Sequence, residues 1–187
     1  MIGLERRKGF YTLLQTAKLA REARLPYYFV CAGAIQLQEF DAAEQTEIRK
    51  LGKAVANGEI DNVFFTPDAV RIPSEADYNS LFSSFHIAWA AYEGFQGSSG
   101  TLSKAAAFEI PCIATSGECI GNRVRTYQLG ITIREGSAEQ ALAAIPQLVS
   151  DDGTMLETLS PRYEEYREHH SQKRLDRILK DLLDSLG

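Results

Sequence analysis

The chain of 187 residues carries a formal net charge of -5 and is 44% hydrophobic, a composition that suits one soluble globular domain. This acidic balance argues against a nucleic-acid-binding protein, which would usually show a basic face. No segment approaches the roughly 20 consecutive apolar residues of a membrane span, and the charged first residues do not resemble a secretory signal.

Along the whole chain, short apolar runs alternate with segments of helical periodicity. The runs predict strands at 1–4, 27–31, 62–65 (closed by Thr66-Pro67), 85–92, 111–115 and 131–133. The periodic segments predict helices at 9–23, 41–56, 74–83, 99–108, 122–129 and 137–149, with Ser74 as a helix cap and a long helical region after Asp152-Gly153. This alternation predicts an α/β fold, a Rossmann-like parallel sheet with helices on both faces and a long C-terminal helix, in one domain over 1–187.

In open parallel sheets, ligands bind beyond the carboxyl ends of the strands, so the loops after positions 4, 33, 65, 92, 115 and 133 are candidate sites. The first loop places Arg6, Arg7 and Lys8 directly before Gly9 and a helix. A helix N-terminus offers free N–H groups and a partial positive charge, and a lysine adds a full charge for a phosphate. The alternative is a solvated charged turn.

The loop at 93–101 follows an apolar strand and is rich in glycine and serine. Small residues let a ligand approach the backbone, and Ser98 or Ser99 is placed to cap the next helix, whose free N–H groups suit a phosphate oxygen. The alternative is a flexible loop before an ordinary serine-capped helix. No Gly-Lys-Ser/Thr follows, so the loop is not a P-loop, and it is not the dinucleotide-binding fingerprint either.

A third loop at 115–122 contains Gly117 and Gly121, which suggests a tight turn facing a ligand, with a simple strand-to-helix connection as the alternative. Three such loops at one sheet edge strengthen the case for a shared site. A lysine on one loop and a serine-capped helix on another would suit a diphosphate.

Other chemically notable residues are expected to be structural. Trp89 and Tyr92 lie on the central strand and are predicted to be core, and His86 at its start is predicted to be packed rather than catalytic. His169 and His170 lie on a charged helix and are expected to face solvent. The three cysteines form no C-x-x-C pair and the histidines lack ligand spacing, so we expect reduced thiols, a cytoplasmic location, no metal site and no cofactor.

Taken in order, these segments resemble the C-terminal, donor-binding domain of group 1 (family 4-like) glycosyltransferases of the GT-B type. The resemblance is collinear over nearly the whole chain and rests on GLERRKGFYTLL at 3–14, YFVCAG at 28–33, VFFTP at 63–67, ADYNSLF at 76–82, HIAWAAYEGF at 86–95, AAAFEIPCIAT at 105–115 and QLG at 128–130. In that family the domain binds a nucleotide-diphosphate sugar. The resemblance therefore implies a glycosyltransferase, of hexosyltransferase type, in glycan or exopolysaccharide synthesis, with UDP or GDP as the nucleotide.

The resemblance also implies roles for individual residues. Lys8 matches the lysine that pairs with the diphosphate, and Glu93 matches the first glutamate of the family's E-x7-E motif, near the donor sugar. The second glutamate, which holds the ribose in the family, is replaced by Thr101, or by Lys104 when the alignment is counted back from Pro111. The donor- and phosphate-binding positions implied in this way are Arg7, Lys8, Gly9, Gly94, Phe95, Ser98, Ser99, Gly100, Thr101 and Lys104.

Two further departures from the family concern the phosphate. Leu4 stands where the family usually has an arginine, for which Arg6 or Arg7 could substitute. The Ser98-Ser99-Gly100 segment resembles a variant branch in which the helix N-terminus contributes more of the phosphate binding. These departures leave the identity of the nucleotide open.

Family members carry the acceptor site and usually the catalytic base on an N-terminal domain, for which this chain has no room. We expect no transfer by this domain alone, because the acceptor must be held in line with the anomeric carbon. The expected partner is an N-terminal acceptor domain or a separate chain. The full-length protein is expected in the cytoplasm, with peripheral attachment to the membrane as an alternative. An apolar stripe on the final helix would pack on its own domain, on the N-terminal domain as in two-domain members, or in a homodimer: Leu175, Ile178, Leu179, Leu182 and Leu183.

Three alternatives stay open at this point. A catalytically degenerate domain that regulates or scaffolds another glycosyltransferase fits the missing second glutamate. A nucleotide-sugar epimerase shares the architecture but also closes two domains over its ligand. A receiver or flavodoxin-like domain has the least support, because no acidic cluster follows the first strand.

Overall fold

The computed structural model describes residues 2–66, 72, 74–152, 154–155 and 158–186, with the backbone alone at 2, 3, 118 and 186. The predictions made for Met1, Pro67 and Gly153 lie outside these residues. The strands are β1 (Ile2–Leu4), β2 (Phe29–Ile35), β3 (Val63–Phe65), β4 (Ala88–Ala90), β5 (Cys112–Thr115) and β6 (Gly130–Ile133). The helices are α1 (Phe10–Glu22), α2 (Ala42–Ala56), α3 (Glu75–Ser83), α4 (Gly100–Phe108), α5 (Glu118–Tyr127), α6 (Ala138–Ala144), α7 (Tyr163–His169) and α8 (Gln172–Leu186).

The strands pair in parallel throughout the described residues, as the alternation of strands and helices predicts. They form two three-stranded sheets, in the orders β1-β2-β3 and β4-β5-β6, rather than one continuous ladder. The two sheets meet just beyond the carboxyl ends of β1 and β4. There the Trp89 indole Nε1 donates to the Lys8 carbonyl oxygen at 3.2 Å, and the Glu93 N–H donates to the Arg7 carbonyl oxygen at 2.9 Å.

Helices cover both faces of the sheets and enclose two groups of buried side chains. One group joins α1 and α6 to strands of both sheets, including Leu4, Phe10, Trp89 and Ile133. The other packs α3, α4, α5 and α7 against the second sheet. The predicted α/β class, with parallel strands and helices on both faces, is confirmed.

Serine and aspartate caps fix several helix starts where the sequence predicts them. The Asp41 carboxylate accepts from the N–H groups of Ala43 and Glu44. The Glu44 carboxylate in turn accepts from the Asp41 N–H, which completes a capping box. Ser74 caps α3 as predicted, and Ser137 caps α6 in the same way. These caps satisfy N–H groups that a helix start otherwise leaves unpaired.

Several predicted boundaries are wrong. Strand β2 runs on to Ile35, so Gly33 lies inside it rather than at its end. Helix α5 begins at Glu118 instead of Asn122, which places Gly121 within the helix. That helix ends at Tyr127, and Gly130 instead starts β6, where a Cβ would lie 1.9 Å from the Cys112 carbonyl oxygen. The predicted long C-terminal helix is confirmed as α8, and the shorter helix α7 precedes it in the helical region after 153.

The histidines and aromatic residues divide between core and surface. Trp89 and Tyr92 are buried as predicted, whereas His86 is exposed, against the prediction that it is packed. His169 and His170 are exposed as predicted, although His169 Nδ1 also lies 2.7 Å from the Tyr127 hydroxyl. A strand that begins at Ala88, later than predicted, explains the His86 error, because His86 precedes the buried part of the run.

Helix α8 leaves its apolar stripe in solvent. Its five stripe residues are between 49% and 69% exposed, so the stripe does not pack on its own domain, the first of the expected arrangements. Among the described residues, no helix combines the length and apolarity that crossing a membrane requires.

Candidate functional site

The turn after β1 is locked against the end of β4. Residues Arg6–Lys8 form a single 3-10 turn, and Gly9 closes it with φ +70° and an N–H that donates to the Arg6 carbonyl oxygen at 2.8 Å. A Cβ on Gly9 would lie 2.0 Å from the Ala91 carbonyl oxygen, so both the left-handed backbone and the close approach require glycine. The turn therefore holds its cations beside the loop that follows β4.

The three cations of this turn are already paired with carboxylates. Arg7 Nη2 lies 2.6 Å from Glu5 Oε2, and Lys8 Nζ lies 3.4 Å from Glu5 Oε1. Arg6 forms an ion pair with Glu44 on α2. The Lys8 side chain is 22% exposed and the Arg7 side chain 50%, so both can reach a ligand, but an anion must compete with Glu5 for them.

Glu93 lies between the turn and the first helix. Its backbone N–H donates to the Arg7 carbonyl oxygen, and its Oε1 accepts from the Thr12 hydroxyl, in the first turn of α1, at 2.7 Å. Burial raises the pKa of the half-buried carboxyl, while the Thr12 bond and the charge of Arg6 oppose that rise. The structure therefore holds a carboxylate at the start of α1, where the helix dipole favours negative charge.

The residues after Glu93 complete the same cluster. Gly94 has φ +58° and donates its N–H to Glu135 Oε2 at 3.0 Å, which ties this loop to the one after β6. The Phe95 ring lies 5.6 Å from the Arg7 guanidinium carbon and 5.3 Å from the Tyr92 ring. Arg7, Lys8, Gly9, Glu93, Gly94 and Phe95 are thus brought together, as the resemblance implies.

The start of α4 confirms Ser99 as the helix cap and turns its hydroxyl inward. Ser99 Oγ accepts from the Leu102 N–H at 3.2 Å and donates to the Tyr92 hydroxyl at 3.0 Å. The Thr101 hydroxyl meets the same Tyr92 oxygen at 2.9 Å. Ser99 is only 2% exposed, whereas Ser98 and Gly100 are exposed. A ligand at this helix would therefore contact backbone N–H groups and Ser98, not the Ser99 hydroxyl.

Lys104 faces a different neighbourhood from Lys8. Its ammonium group contacts the Glu75 carboxylate and the Asn79 side-chain oxygen on α3. It also lies 5.1 Å from the centre of the Tyr78 ring. In this arrangement Lys104 joins α3 to α4, and among the described residues the ion pairs of the Arg6–Lys8 turn are with Glu5 and Glu44 rather than with partners of Lys104.

The third predicted loop is largely helix. Gly117 is the N-cap residue of α5 and has no side chain to accept a hydrogen bond, so the N–H groups of the first turn receive no side-chain cap from it. Gly121 is required for packing rather than for a turn, since its Cβ would lie 2.4 Å from the Ser116 carbonyl oxygen. A small cleft of about 140 Å³ lies here, lined by Tyr92, Gly94, Phe95, Gln96, Thr115, Gly117, Ile120 and Glu135.

Three site residues were missed by sequence reasoning. Glu5 and Thr12 hold Lys8 and Glu93, and Glu135 holds Gly94. Glu135 could have been found, because the loop after position 133 was already a candidate. Thr12 gave no signal, since its role depends on how α1 meets the loop after β4.

Two larger clefts lie away from this edge, one of about 400 Å³ at the amino-terminal ends of β2 and β4 and one of about 280 Å³ beside α1 and α2. The polar convergence of Arg7, Lys8 and Glu93 marks the carboxyl edge as the chemical site despite its smaller cleft. In the part of the chain that the structure describes, no three His, Cys, Asp or Glu side chains come together as a metal site.

Comparison with known proteins places these observations in a family. The model for glycosyl transferases group 1 matches residues 1–151. No match was found among curated proteins. Among solved structures, AviGT4, a glycosyltransferase involved in avilamycin A biosynthesis, matches 82% of this chain with 18% identity and a TM-score of 0.44. The chain spans 42% of the length of AviGT4.

Proposed function

The chain belongs to the group 1 glycosyl transferases, and from this premise we propose that it binds a nucleotide-diphosphate sugar at its carboxyl edge. In this proposal it is the donor-binding domain of a GT-B glycosyltransferase of hexosyltransferase type. Its pathway is the synthesis of a glycan or exopolysaccharide, and its nucleotide is UDP or GDP. Residues 1–187 act as one domain.

One observation carries the proposal: the Arg6–Lys8 turn is locked against β4 so that two cations border the Glu93–Phe95 loop. Gly9 fixes this contact, and the Arg7 carbonyl oxygen accepts the Glu93 N–H. A diphosphate carries two negatively charged phosphate groups joined by one bridging oxygen, so it suits two adjacent cations through charge-assisted hydrogen bonds. The first N–H groups of α4, at Gly100 and Thr101, supply the helix-terminus contacts that phosphates favour.

Glu5 serves as the internal substitute for the ligand. It pairs with Arg7 and Lys8 when no anion is bound, at 2.6 Å and 3.4 Å. The diphosphate takes over both cations and leaves Glu5 to solvent. Such a partly exposed pair is worth little, so the exchange lowers the affinity only modestly.

Glu93 is assigned to the donor sugar. Its carboxylate is fixed on one side by the Thr12 hydroxyl, which bonds to Oε1, and the proposal assigns its second oxygen to a sugar hydroxyl. Burial raises the pKa of this carboxyl, while the Thr12 bond and the Arg6 charge oppose that rise and favour the ionised form, which accepts hydrogen bonds. The role is contact and orientation of the sugar ring.

Transfer requires a second unit. An acceptor must lie in line with the anomeric carbon, and positioning of this kind contributes much of the rate. We propose that an N-terminal acceptor domain or a partner chain supplies it, and that this domain alone is inactive in transfer. The exposed stripe of α8 is a candidate contact for that unit or for a second copy. Three free cysteines fit a cytoplasmic location, where thiols stay reduced.

Titration calorimetry with UDP, GDP and ADP tests the donor site, with the matching monophosphates as controls. We expect at least one diphosphate to bind, and to bind more tightly than its monophosphate, because the second phosphate engages both cations. If no diphosphate binds at millimolar concentration, the donor-site proposal fails.

A second candidate function is a degenerate domain that regulates or scaffolds another glycosyltransferase. The Thr101 hydroxyl is bound to Tyr92, and Lys104 is bound to α3, so neither position offers the carboxylate that would grip a ribose. Fusion of this chain to an acceptor domain distinguishes the two candidates. Sugar transfer by the fusion refutes the degenerate role, whereas diphosphate binding without transfer supports it.

A further inference from the structure

The cleft of about 140 Å³ at the carboxyl edge has one charged side chain in its described wall. That wall comes from the loops after β4, β5 and β6 and from the start of α5: Tyr92, Gly94, Phe95, Gln96, Thr115, Gly117, Ile120 and Glu135. Among these residues, only Glu135 carries a charge. The cleft lies next to Glu93, the residue assigned to the donor sugar, because Glu93 directly precedes Gly94 in the chain.

Main-chain bonds hold Glu135 at this position. Its Oε2 accepts from the Gly94 N–H at 3.0 Å. On its own loop, the Ser137 N–H donates to the Arg134 carbonyl oxygen at 3.1 Å, and the Arg134 N–H donates to Gln140 Oε1 at 2.7 Å. These bonds close the turn on both sides of Glu135, so its carboxylate is presented to the cleft from a defined place.

The charge of Glu135 has no counter-ion in the described part of the chain. The ion pairs of the Arg6–Lys8 turn are with Glu5 and Glu44, and none of the ion pairs includes Glu135. Burial raises the pKa of the Glu93 carboxyl most, and the negative charge of Glu135 adds to that rise. The two carboxylates therefore act on the same small region.

The start of α5 adds hydrogen-bond donors of weaker charge to the wall. Its N-cap residue is Gly117, so no side chain at this cap accepts from the first N–H groups of the helix. A helix N-terminus is equivalent to roughly half a positive elementary charge, which is less than the full negative charge of one carboxylate. The cleft thus offers both donors and acceptors, with a negative balance.

A neutral sugar ring matches this mixture of groups. Each hydroxyl can donate one hydrogen bond and accept others, so it can donate to Glu135 and accept from an N–H of α5. The partly buried Phe95 ring offers an apolar surface on which the C–H groups of a sugar can pack. The cleft is smaller than the roughly 300–1,000 Å³ of sites for drug-sized ligands, so it suits a single ring.

A sugar that carries a carboxylate meets like charge in the same place. In the proposed binding mode the diphosphate already engages Arg7 and Lys8, so these cations are not available to a second anion. The repulsion between two unit charges about 4 Å apart corresponds to about fivefold in affinity in bulk water and to much more near a protein surface.

We propose that Glu135 is a specificity-determining residue, which selects donors that carry a neutral hexose and rejects donors that carry a uronic acid. This role rests on the donor site proposed above and names the class of sugar that the site takes. The Glu135 carboxylate accepts a hydrogen bond from a hexose hydroxyl and repels the carboxylate of a uronic acid. Removal of its charge therefore changes the choice of sugar.

Titration calorimetry on the whole chain tests the choice of sugar. It compares UDP-glucose with UDP-glucuronate, or GDP-mannose with GDP-mannuronate if GDP binds better than UDP. The members of each pair differ only at C6, which is a neutral CH₂OH group in one and a carboxylate in the other. The dissociation constant of the uronate should be at least about tenfold higher. Equal constants would overturn the role of Glu135, whereas no binding of UDP or GDP would refute the donor site and this role with it.

Two variants of Glu135 show whether its charge causes the difference. Glu135→Gln keeps an acceptor oxygen for the Gly94 N–H but removes the charge, so the ratio of the two constants should fall below about threefold. Glu135→Lys should reverse the preference. The control is Glu164→Gln, which removes a carboxylate from an exposed position on α7 and should leave the ratio unchanged. A ratio that survives in Glu135→Gln, or falls equally in the control, would contradict the proposal.

Salt provides a further measurement that needs no variant. The Debye length falls from about 30 Å at 0.01 M to about 3 Å at 1 M ionic strength. The preference for the hexose should shrink over this range, because repulsion between carboxylates is screened. A preference that salt does not change would mean that the uronate is excluded by shape, and the proposed role of the Glu135 charge would be wrong.

Discussion

Replacement of Gly9 by alanine tests how firmly the cationic turn is fixed. Gly9 has φ +70°, and a Cβ there would lie 2.0 Å from the Ala91 carbonyl oxygen. The left-handed backbone alone costs an alanine about 1–2 kcal/mol. Relief of the overlap requires the turn to move away from β4, which as an overpacking defect adds about 1–3 kcal/mol. We expect Gly9→Ala to lower the free energy of unfolding by about 2–5 kcal/mol.

Gly58→Ala is the matched control for this prediction. Gly58 has φ +73°, but nothing lies within 4 Å of its Cβ position, so only the backbone strain of about 1–2 kcal/mol remains. Urea unfolding of both variants, followed by tryptophan fluorescence, measures the difference directly. Equal losses for the two variants would show that the contact between Gly9 and Ala91 does not hold the turn, and the reasoning about the site would fail.

Three further predictions concern the same edge. Burial raises the pKa of Glu93, so the folded state holds its proton more tightly than the unfolded state, and the contribution of this group to stability falls as pH rises from the ordinary carboxyl pKa to the raised one. Urea unfolding between pH 4 and 7 should show that Glu93→Gln removes this fall. An unchanged pH dependence of the free energy of unfolding would contradict the prediction. Glu5→Gln should release Lys8 and tighten diphosphate binding about two- to fivefold, since a partly exposed ion pair is worth up to about 1 kcal/mol. Calorimetry that shows weaker binding would mean that Glu5 orients the cation instead. Ser99→Ala should lower the free energy of unfolding in urea by about 1–3 kcal/mol, because it removes the helix cap and the bond to Tyr92. Ser98 is exposed, so Ser98→Ala should change that free energy by less than about 0.5 kcal/mol. Similar losses for the two variants would refute the assignment of Ser99 as the cap.

Local patterns predicted the elements well, because the signals that define them are local. Ser74 and Ser99 cap helices where the sequence places them, and strand runs followed by glycine or polar residues mark most strands. The boundaries that failed depend on tertiary packing. Gly121 reads as a turn in the sequence, yet it lies inside α5 because the helix packs directly on the Ser116 backbone.

The candidate site was predictable in position but not in its contacts. The loops after β1 and β4 were expected to meet, because the carboxyl ends of parallel strands share one edge. The sequence could not show that Glu5 would pair with Lys8, or that the Ser99 hydroxyl would turn inward to Tyr92. Such contacts depend on the distances between side chains of different loops, which no local pattern encodes.

The affinity of Lys8→Ala for the best-bound nucleoside diphosphate tests the central claim most directly. A charge-assisted hydrogen bond from the ammonium group contributes about 1.5–3 kcal/mol, so the dissociation constant should rise about 10- to 150-fold. Lys18→Ala is the control, because it removes the same charge from an exposed position on α1, ten residues further along the chain. It should leave the affinity unchanged. If Lys8→Ala and Lys18→Ala bind the diphosphate as tightly as the unmodified chain, the diphosphate does not lie at this edge.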